Sequence, residues 1–197
     1  MSISNRRPIP QNESINAIRK AINAGRAELF GPHELSVVEG TLAARLHEYY
    51  NQMGMKEGWL RKEYATPLSE QDRTNQEKNK SAAKGVLDYW GNRFASAATE
   101  EAQTALKDMI LAAKGPEHFE GNNRLRAAAN AQHEIWKRFV EKFQPERITP
   151  GHEKFREENY KQYNTPYEKL PKPDQTRDNE VVHVVTRRLL ENAGIKV

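Results

Sequence analysis

Apolar residues recur at spacings of three and four along most of this chain, and the stretches that carry them end at glycine or proline. In the first stretch, Ile15, Ile18, Ile22 and Leu29 lie near one face of a helix, and a Gly-Pro pair follows. Alternating patterns typical of strands are short and isolated. The periodicity therefore predicts a mainly α-helical fold with irregular loops rich in proline and aromatic residues, and at most short strands.

Helix boundaries follow from this periodicity together with capping residues and breaks. The predicted helices cover approximately residues 14–29, 33–53, 70–94, 99–114, 122–143, 149–163 and 178–193. Residues 71–80 are polar on all sides, so this part of a helix is either solvated or lines a polar groove. Residues 163–173 contain three prolines and are predicted to be irregular, and residues 195–197 are a candidate short strand.

Composition limits the classes of protein that fit. The chain has no cysteine, which excludes a disulfide scaffold and thiolate chemistry, and no apolar run approaches the roughly 18 residues of a membrane helix. Without a signal peptide either, we expect a cytoplasmic protein. The net charge is +4, but 27 acidic residues are interleaved with 31 basic ones, which disfavours nucleic acid as the main partner.

No common catalytic or metal-binding motif is present. Neither His47-Glu48 nor His133-Glu134 is followed by a second His four residues after the first, as a zinc protease would require. The chain also lacks a glycine-rich phosphate loop and a Gly-x-Ser-x-Gly elbow. We therefore predict a protein that is not an enzyme and that has neither a metal site nor a cofactor.

Two parts of the chain share a pattern that predicts a tandem duplication. Each has His-Glu with an aromatic residue three positions after the His, then Tyr-x-Thr-Pro, then an adjacent Asp and Arg. These segments are residues 47–50, 64–67 and 72–73 in the first half and residues 133–136, 163–166 and 177–178 in the second. The predicted organisation is an N-terminal arm and helix over residues 1–30, a first repeat over residues 31–115 and a second over residues 116–197.

The second half resembles the RyR domain, the repeat named after ryanodine-receptor calcium channels. The resemblance rests on His-Glu-x-Trp at residues 133–136, Pro-Tyr-x-x-Leu-Pro at residues 166–171, the Arg177-Asp178 pair and a helix that closes at Gly194. The first half is similar more loosely, but it has the Gly58-Trp59 pair that the second half lacks.

This resemblance implies a helical repeat and a binding role. The family occurs in tandem in the channels and also in bacterial and phage proteins, some near nucleotide-signalling systems, where binding of small nucleotides has been proposed. It therefore implies a non-catalytic module for a small anionic nucleotide-like ligand, acting as a sensor or a sequestering sponge in bacterial defence or phage anti-defence. No membrane is expected as a partner, whereas a homo-oligomer or a partner protein is compatible with this interpretation.

The candidate ligand-binding residues are aromatic, imidazole and guanidinium side chains within the repeated segments. They are His47, Tyr50, Trp59, Tyr64, Arg73, His133, Trp136, Tyr163, Tyr167 and Arg177. Rings would stack on a base and arginines would grip phosphates. Their presence is equally compatible with core packing by the rings and with pairing of the arginines with Asp72 and Asp178.

Two alternatives to ligand binding remain open from the sequence. The first is a structural or protein-interaction component, such as a phage assembly protein, that uses its polar helices and N-terminal arm for contacts. The second is a nucleic-acid-binding protein, which the interleaved charges disfavour.

Overall fold

A computed structural model describes residues 11–30, 40–95 and 99–197. Within these ranges the chain forms seven α-helices and no strand, so the predicted mainly α-helical fold is confirmed. The helices are α1 (Gln11–Phe30), α2 (Leu42–Glu57), α3 (Arg73–Arg93), α4 (Glu100–Lys114), α5 (Asn123–Phe143), α6 (Glu157–Asn164) and α7 (Lys172–Asn192). Short 3₁₀ helices lie at Lys62–Tyr64, Leu68–Glu70, Pro116–Phe119, Pro145–Arg147 and Tyr167–Lys169.

Side-chain caps fix where several helices begin. The Oγ1 atom of Thr41 accepts a hydrogen bond from the Ala44 amide at 3.3 Å, and Asp72 accepts one from the Asn75 amide at 2.8 Å. The prediction of one helix from 33 to 53 is wrong at residue 40, because Gly40 has a φ of +89° and α2 begins after it. The first part of that predicted helix, residues 33–39, lies outside the described residues.

The C-terminal helix begins earlier than the sequence indicated. It starts at Lys172 rather than near residue 178, since Pro173 lies in the first turn, where a backbone N–H has no partner within the helix. Arg177 therefore stands in the second turn of α7, not at its start. Likewise α6 begins at Glu157 rather than near residue 149.

The chain closes α7 with hydrogen bonds instead of forming the expected strand at residues 195–197. Gly194 has a φ of +74°, its amide donates to the Glu191 carbonyl at 2.9 Å, and the Ile195 amide donates to the Leu190 carbonyl at 2.8 Å. This pair of bonds is a Schellman cap. The amide that a strand would need is thus already used.

Helix α7 lies at the centre of the fold and packs against α1, α2, α3, α4 and α5. One continuous apolar core includes residues of α1 and of both predicted repeats, for example Ile18, Leu87 and Leu189. The Trp90 indole donates a buried hydrogen bond to Thr186 Oγ1 at 2.8 Å, which joins α3 to α7. None of the described helices combines the length and apolarity that crossing a membrane requires.

Candidate ligand cavity

A cavity of about 680 Å³ lies where α2 and α3 of the first predicted repeat face α5, α6 and α7 of the second. Its wall has an aromatic part, a basic part and an acidic part. The polar and aromatic residues of its lining include Tyr50, Glu57, Trp59, Lys78, Gln132, Trp136, Gln144, Arg147, Asn159, Gln162, Arg177, Asp178 and Glu180. The cavity therefore draws its side chains from both parts of the chain in which the repeated pattern occurs.

The aromatic part of the wall consists mainly of Tyr50, Trp59 and Trp136. Trp136 is half-buried, and its ring stacks on the His133 imidazole with centroids 5.7 Å apart and planes 21° apart. Trp59 packs on Gly54 so closely that a Cβ at Gly54 would lie 2.7 Å from its ring. Half-exposed rings with one covered face can still stack on a flat ligand with the other.

The basic part consists of Lys78 in α3, Arg147 in a 3₁₀ turn and Arg177 in α7. Lys78 is exposed to solvent within the open cavity, although protein surrounds it on most sides. The surrounding protein lowers the pKa of the Lys78 ammonium, and the charges of Arg147 and Arg177 lower it further. Both arginines therefore lie close enough to Lys78 to repel its charge.

The acidic part consists of Glu57 and Glu180, next to Tyr49 and Tyr50. Burial raises the pKa of Glu180, and the nearby charge of Glu57 raises it further. Burial and the charge of Glu180 raise the pKa of Tyr49 to about 12. Arg177 stands between the two parts, because its charge acts on both Lys78 and Glu180.

His133 lies behind the cavity wall and is fully buried. Its Nε2 donates to the Thr165 carbonyl at 3.1 Å, and its Nδ1 lies 3.3 Å from Oδ2 of Asp178, which borders the cavity. Burial lowers the pKa of His133, but the adjacent Asp178 carboxylate outweighs that effect and raises it. Burial also raises the pKa of the Asp178 carboxyl, against the opposing effect of His133.

His47 makes the corresponding contact in the first half. Its Nε2 lies 3.1 Å from the carbonyl of Thr66, which precedes Pro67 just as Thr165 precedes Pro166. Burial lowers the pKa of His47, and the charge of Lys78 adds to this effect. Both His-Glu helices thus hold the Thr-Pro segment that follows them in the chain through an imidazole.

The structure brings four of the ten candidate residues together around the cavity, namely Tyr50, Trp59, Trp136 and Arg177. His133 supports the wall through Asp178. The other five candidates lie elsewhere: His47 borders a separate groove, Tyr64 is 64% exposed, Arg73 is exposed at the start of α3, Tyr163 donates to Glu141, and Tyr167 is buried in the core. The Tyr167 hydroxyl donates to Asn179 Oδ1 at 2.6 Å beside a second hollow.

Sequence reasoning missed Lys78 and Arg147 as candidate residues. A signal for Lys78 existed, because the polar stretch 71–80 was expected to be solvated or to line a polar groove, and Lys78 and Asn79 both line the cavity. Arg147 gave no signal, since it lies in a short turn whose position depends on how the chain leaves α5.

Comparisons with protein-family models, curated proteins and solved structures found no match. In the part of the chain that the structure describes, no group of three or more acidic or histidine side chains is placed to hold a metal ion.

Proposed function

We propose that this protein binds a small, negatively charged, ring-containing molecule in the cavity between its two halves and does not transform it. The observation that carries the proposal is the joint presence of Trp136, Tyr50 and Trp59 with Lys78, Arg147 and Arg177 around one cavity. Aromatic faces bind flat rings, and guanidinium and ammonium groups bind phosphates. Nucleotide-like molecules present both kinds of group.

The size of the cavity agrees with this ligand class. Its volume of about 680 Å³ falls inside the range of roughly 300–1,000 Å³ typical of small-molecule sites. The mixture of apolar rings with a few charged groups is also typical of such sites.

The resemblance to RyR domains narrows the proposal to a nucleotide-derived signalling molecule, such as a cyclic nucleotide or a cyclic ADP-ribose derivative. In that interpretation the two repeats form the cavity together, and the protein acts as a sensor or as a sponge in bacterial defence or phage anti-defence. Support for the duplication comes from the matching His47–Thr66 and His133–Thr165 contacts.

Titration calorimetry of the full chain against a panel of cyclic and linear nucleotides tests the proposal. We expect one-site binding that Trp136→Ala and Arg177→Ala each weaken about tenfold, since a base–aromatic stack is worth roughly 1–3 kcal/mol. Tyr64→Ala and Arg73→Ala are matched controls outside the cavity and should leave affinity unchanged. Equal weakening by variants and controls, or no binding across the panel, would contradict the proposal.

A protein-interaction role is the second candidate, and a set of exposed apolar side chains favours it. Met55, Trp59 and Tyr64 are large apolar side chains with exposed fractions of 39%, 62% and 64%, and they lie within ten residues of one another in the chain. Exposed aromatic clusters are typical of contact sites. A Met55→Ser, Tyr64→Ser variant, whose changes lie outside the cavity, should lose self-association in analytical ultracentrifugation while keeping ligand affinity if this role is right.

A further inference from the structure

We propose that Lys78, Arg147 and Arg177 form an oxyanion subsite that takes the phosphate groups of a phosphate ester carrying at least two negative charges. This inference rests on the proposed function, because it assigns one end of the same cavity. It also gives the ligand an orientation, with its phosphates toward α3 and the 145–147 turn.

The cations at this end of the cavity carry more positive charge than the carboxylates beside them balance. In the described part of the chain, neither Lys78 nor Arg147 has a carboxylate within ion-pair distance or a side-chain hydrogen bond. Elsewhere the protein pairs such groups closely, as in the two-bond contact of Arg124 with Asp108 at 2.6 and 3.1 Å. Three like charges that face one cavity repel one another, and a bound polyanion would remove that repulsion.

Neutral side chains with N–H donors line the same cavity as these cations. Gln144 and Arg147 lie in the segment that follows α5, and Asn159 and Gln162 belong to α6. All four line the cavity. Their side-chain amides offer N–H donors to phosphate oxygens without adding negative charge. Arg177, whose NH1 is 3.3 Å from Asp174, is 68% exposed, so it can turn toward a ligand at little cost.

The acidic side chains around the cavity interact with partners other than Lys78 and Arg147. Glu57 and Glu180 act on Tyr49 rather than on Lys78, and Asp178 is held by His133. A phosphate would be repelled at the Glu57–Glu180 end and attracted at the other. Hydroxyl or amino groups of the same ligand would donate to Glu180.

Calorimetric titration of the full chain with inorganic pyrophosphate and triphosphate tests the subsite without a ring. We expect binding that Lys78→Met and Arg147→Met each weaken roughly tenfold, because each removes charge-assisted hydrogen bonds. Lys80→Met is the matched control, since Lys80 is on the same helix, contacts Glu77 and does not line the cavity. It removes the same charge, so an equal effect of Lys80→Met would overturn the subsite as a specific site.

Proton uptake provides a second readout. Because the pKa of Lys78 is lowered in the free protein, a bound polyanion should raise it, and binding at alkaline pH should take up protons. The uptake appears as a difference in heat between buffers of unlike ionisation enthalpy. Lys78→Arg should retain the affinity and abolish the uptake, whereas persistent uptake in that variant would overturn the role of Lys78.

The two proposals fail in different ways. If nucleotides bind and depend on Trp136 but are indifferent to Lys78→Met and Arg147→Met, the subsite is wrong and the proposed function stands. If pyrophosphate binding depends on Lys78 and Arg147 while no nucleotide depends on Trp136, the subsite stands and the proposed function is wrong. Absence of pyrophosphate and triphosphate binding at millimolar concentration would overturn the subsite.

Discussion

His133 is a fully buried histidine whose two ring nitrogens both contact oxygen atoms. The Thr165 carbonyl accepts a hydrogen bond from Nε2–H of His133, so Nδ1 faces the Asp178 carboxyl. The proton between these two groups resides either on the imidazole or on the carboxyl. A raised pKa on both groups means that the folded protein keeps this proton more firmly than the unfolded chain does. The pair is therefore a source of pH-dependent stability next to the cavity.

We expect Asp178→Asn to cost about 2 kcal/mol of unfolding free energy at pH 6, the scale of leaving a buried polar group without its charged partner. Since the pKa of His133 is raised, its stabilising contribution is complete below the unfolded value near 6.5 and is lost as pH rises through the folded pKa. The gap between wild type and variant should therefore narrow with rising pH. Urea unfolding between pH 5.5 and 9 measures it.

A matched control for this prediction is Glu191→Gln, also in α7, whose carboxylate contacts the exposed Arg187. Surface pairs of this kind contribute little, so its pH profile should parallel that of the wild type. An NMR titration of His133 should show its pKa fall in Asp178→Asn, because only the Thr165 hydrogen bond and the charge of Glu134 then oppose burial. Parallel profiles for Asp178→Asn and wild type would show that the pair does not store the proton.

At the scale of elements, α3 and α5 approach closely because Gly85 has no side chain. A Cβ at Gly85 would lie 2.7 Å from Ile135 Cγ1 and 3.3 Å from Gln132 Oε1. Ile135 and Gln132 also line the cavity, so this contact sets the width of the cavity between α3 and α5. Gly91, on the same helix, faces only the flexible end of Arg26.

We expect Gly85→Ala to destabilise the fold by roughly 1–3 kcal/mol, because the methyl group overpacks a close helix contact. Gly91→Ala is the matched control: the Arg26 guanidinium can move, and alanine favours a helix over glycine by about 1 kcal/mol. It should leave stability unchanged or increase it. Thermal unfolding of both variants measures the difference, and a stabilised Gly85→Ala would show that α3 and α5 are not in tight contact.

The sequence predicted the helices more accurately than the site, for a physical reason. Periodic apolar residues such as Ile15, Ile18 and Ile22 decide which face is buried, and all three are in the core. Where local capping hydrogen bonds decide the outcome, as at Gly194 and Ile195, the prediction of a strand was wrong. Proline gave an ambiguous signal, because Pro173 lies within the first turn of α7 rather than in an irregular loop.

The candidate site was predictable only in part because a cavity is a property of packing. Trp136 and Arg177 were identified from the repeated pattern, and they do face one cavity. Tyr167, which is part of the same pattern, is 1% exposed in the core, and no spacing distinguishes these two fates. Arg147 lies in the turn after α5, and no sequence pattern indicates that this turn directs its side chain to the cavity.

At the scale of the molecule, the apolar core and the cavity both cross the boundary between the two predicted repeats. Helix α7 contacts α1, α2 and α3 as well as α4 and α5. The Trp90–Thr186 hydrogen bond joins the same two parts. Two parts of a chain that bury surface against each other in this way share their stability.

We therefore expect the chain to unfold in a single cooperative transition despite its repeated pattern. A unit spanning residues 116–197 alone would expose the face of α7 that contacts α1 and α3, including Thr186, which accepts the Trp90 hydrogen bond. Circular dichroism at 222 nm reports all helices, while tryptophan fluorescence reports Trp59, Trp90 and Trp136, so the two probes should give coincident denaturant midpoints. Two separated transitions would mean that each half has an independent core. In that case the cavity would lie at an interface that can open, and saturating ligand should then stabilise both transitions rather than one.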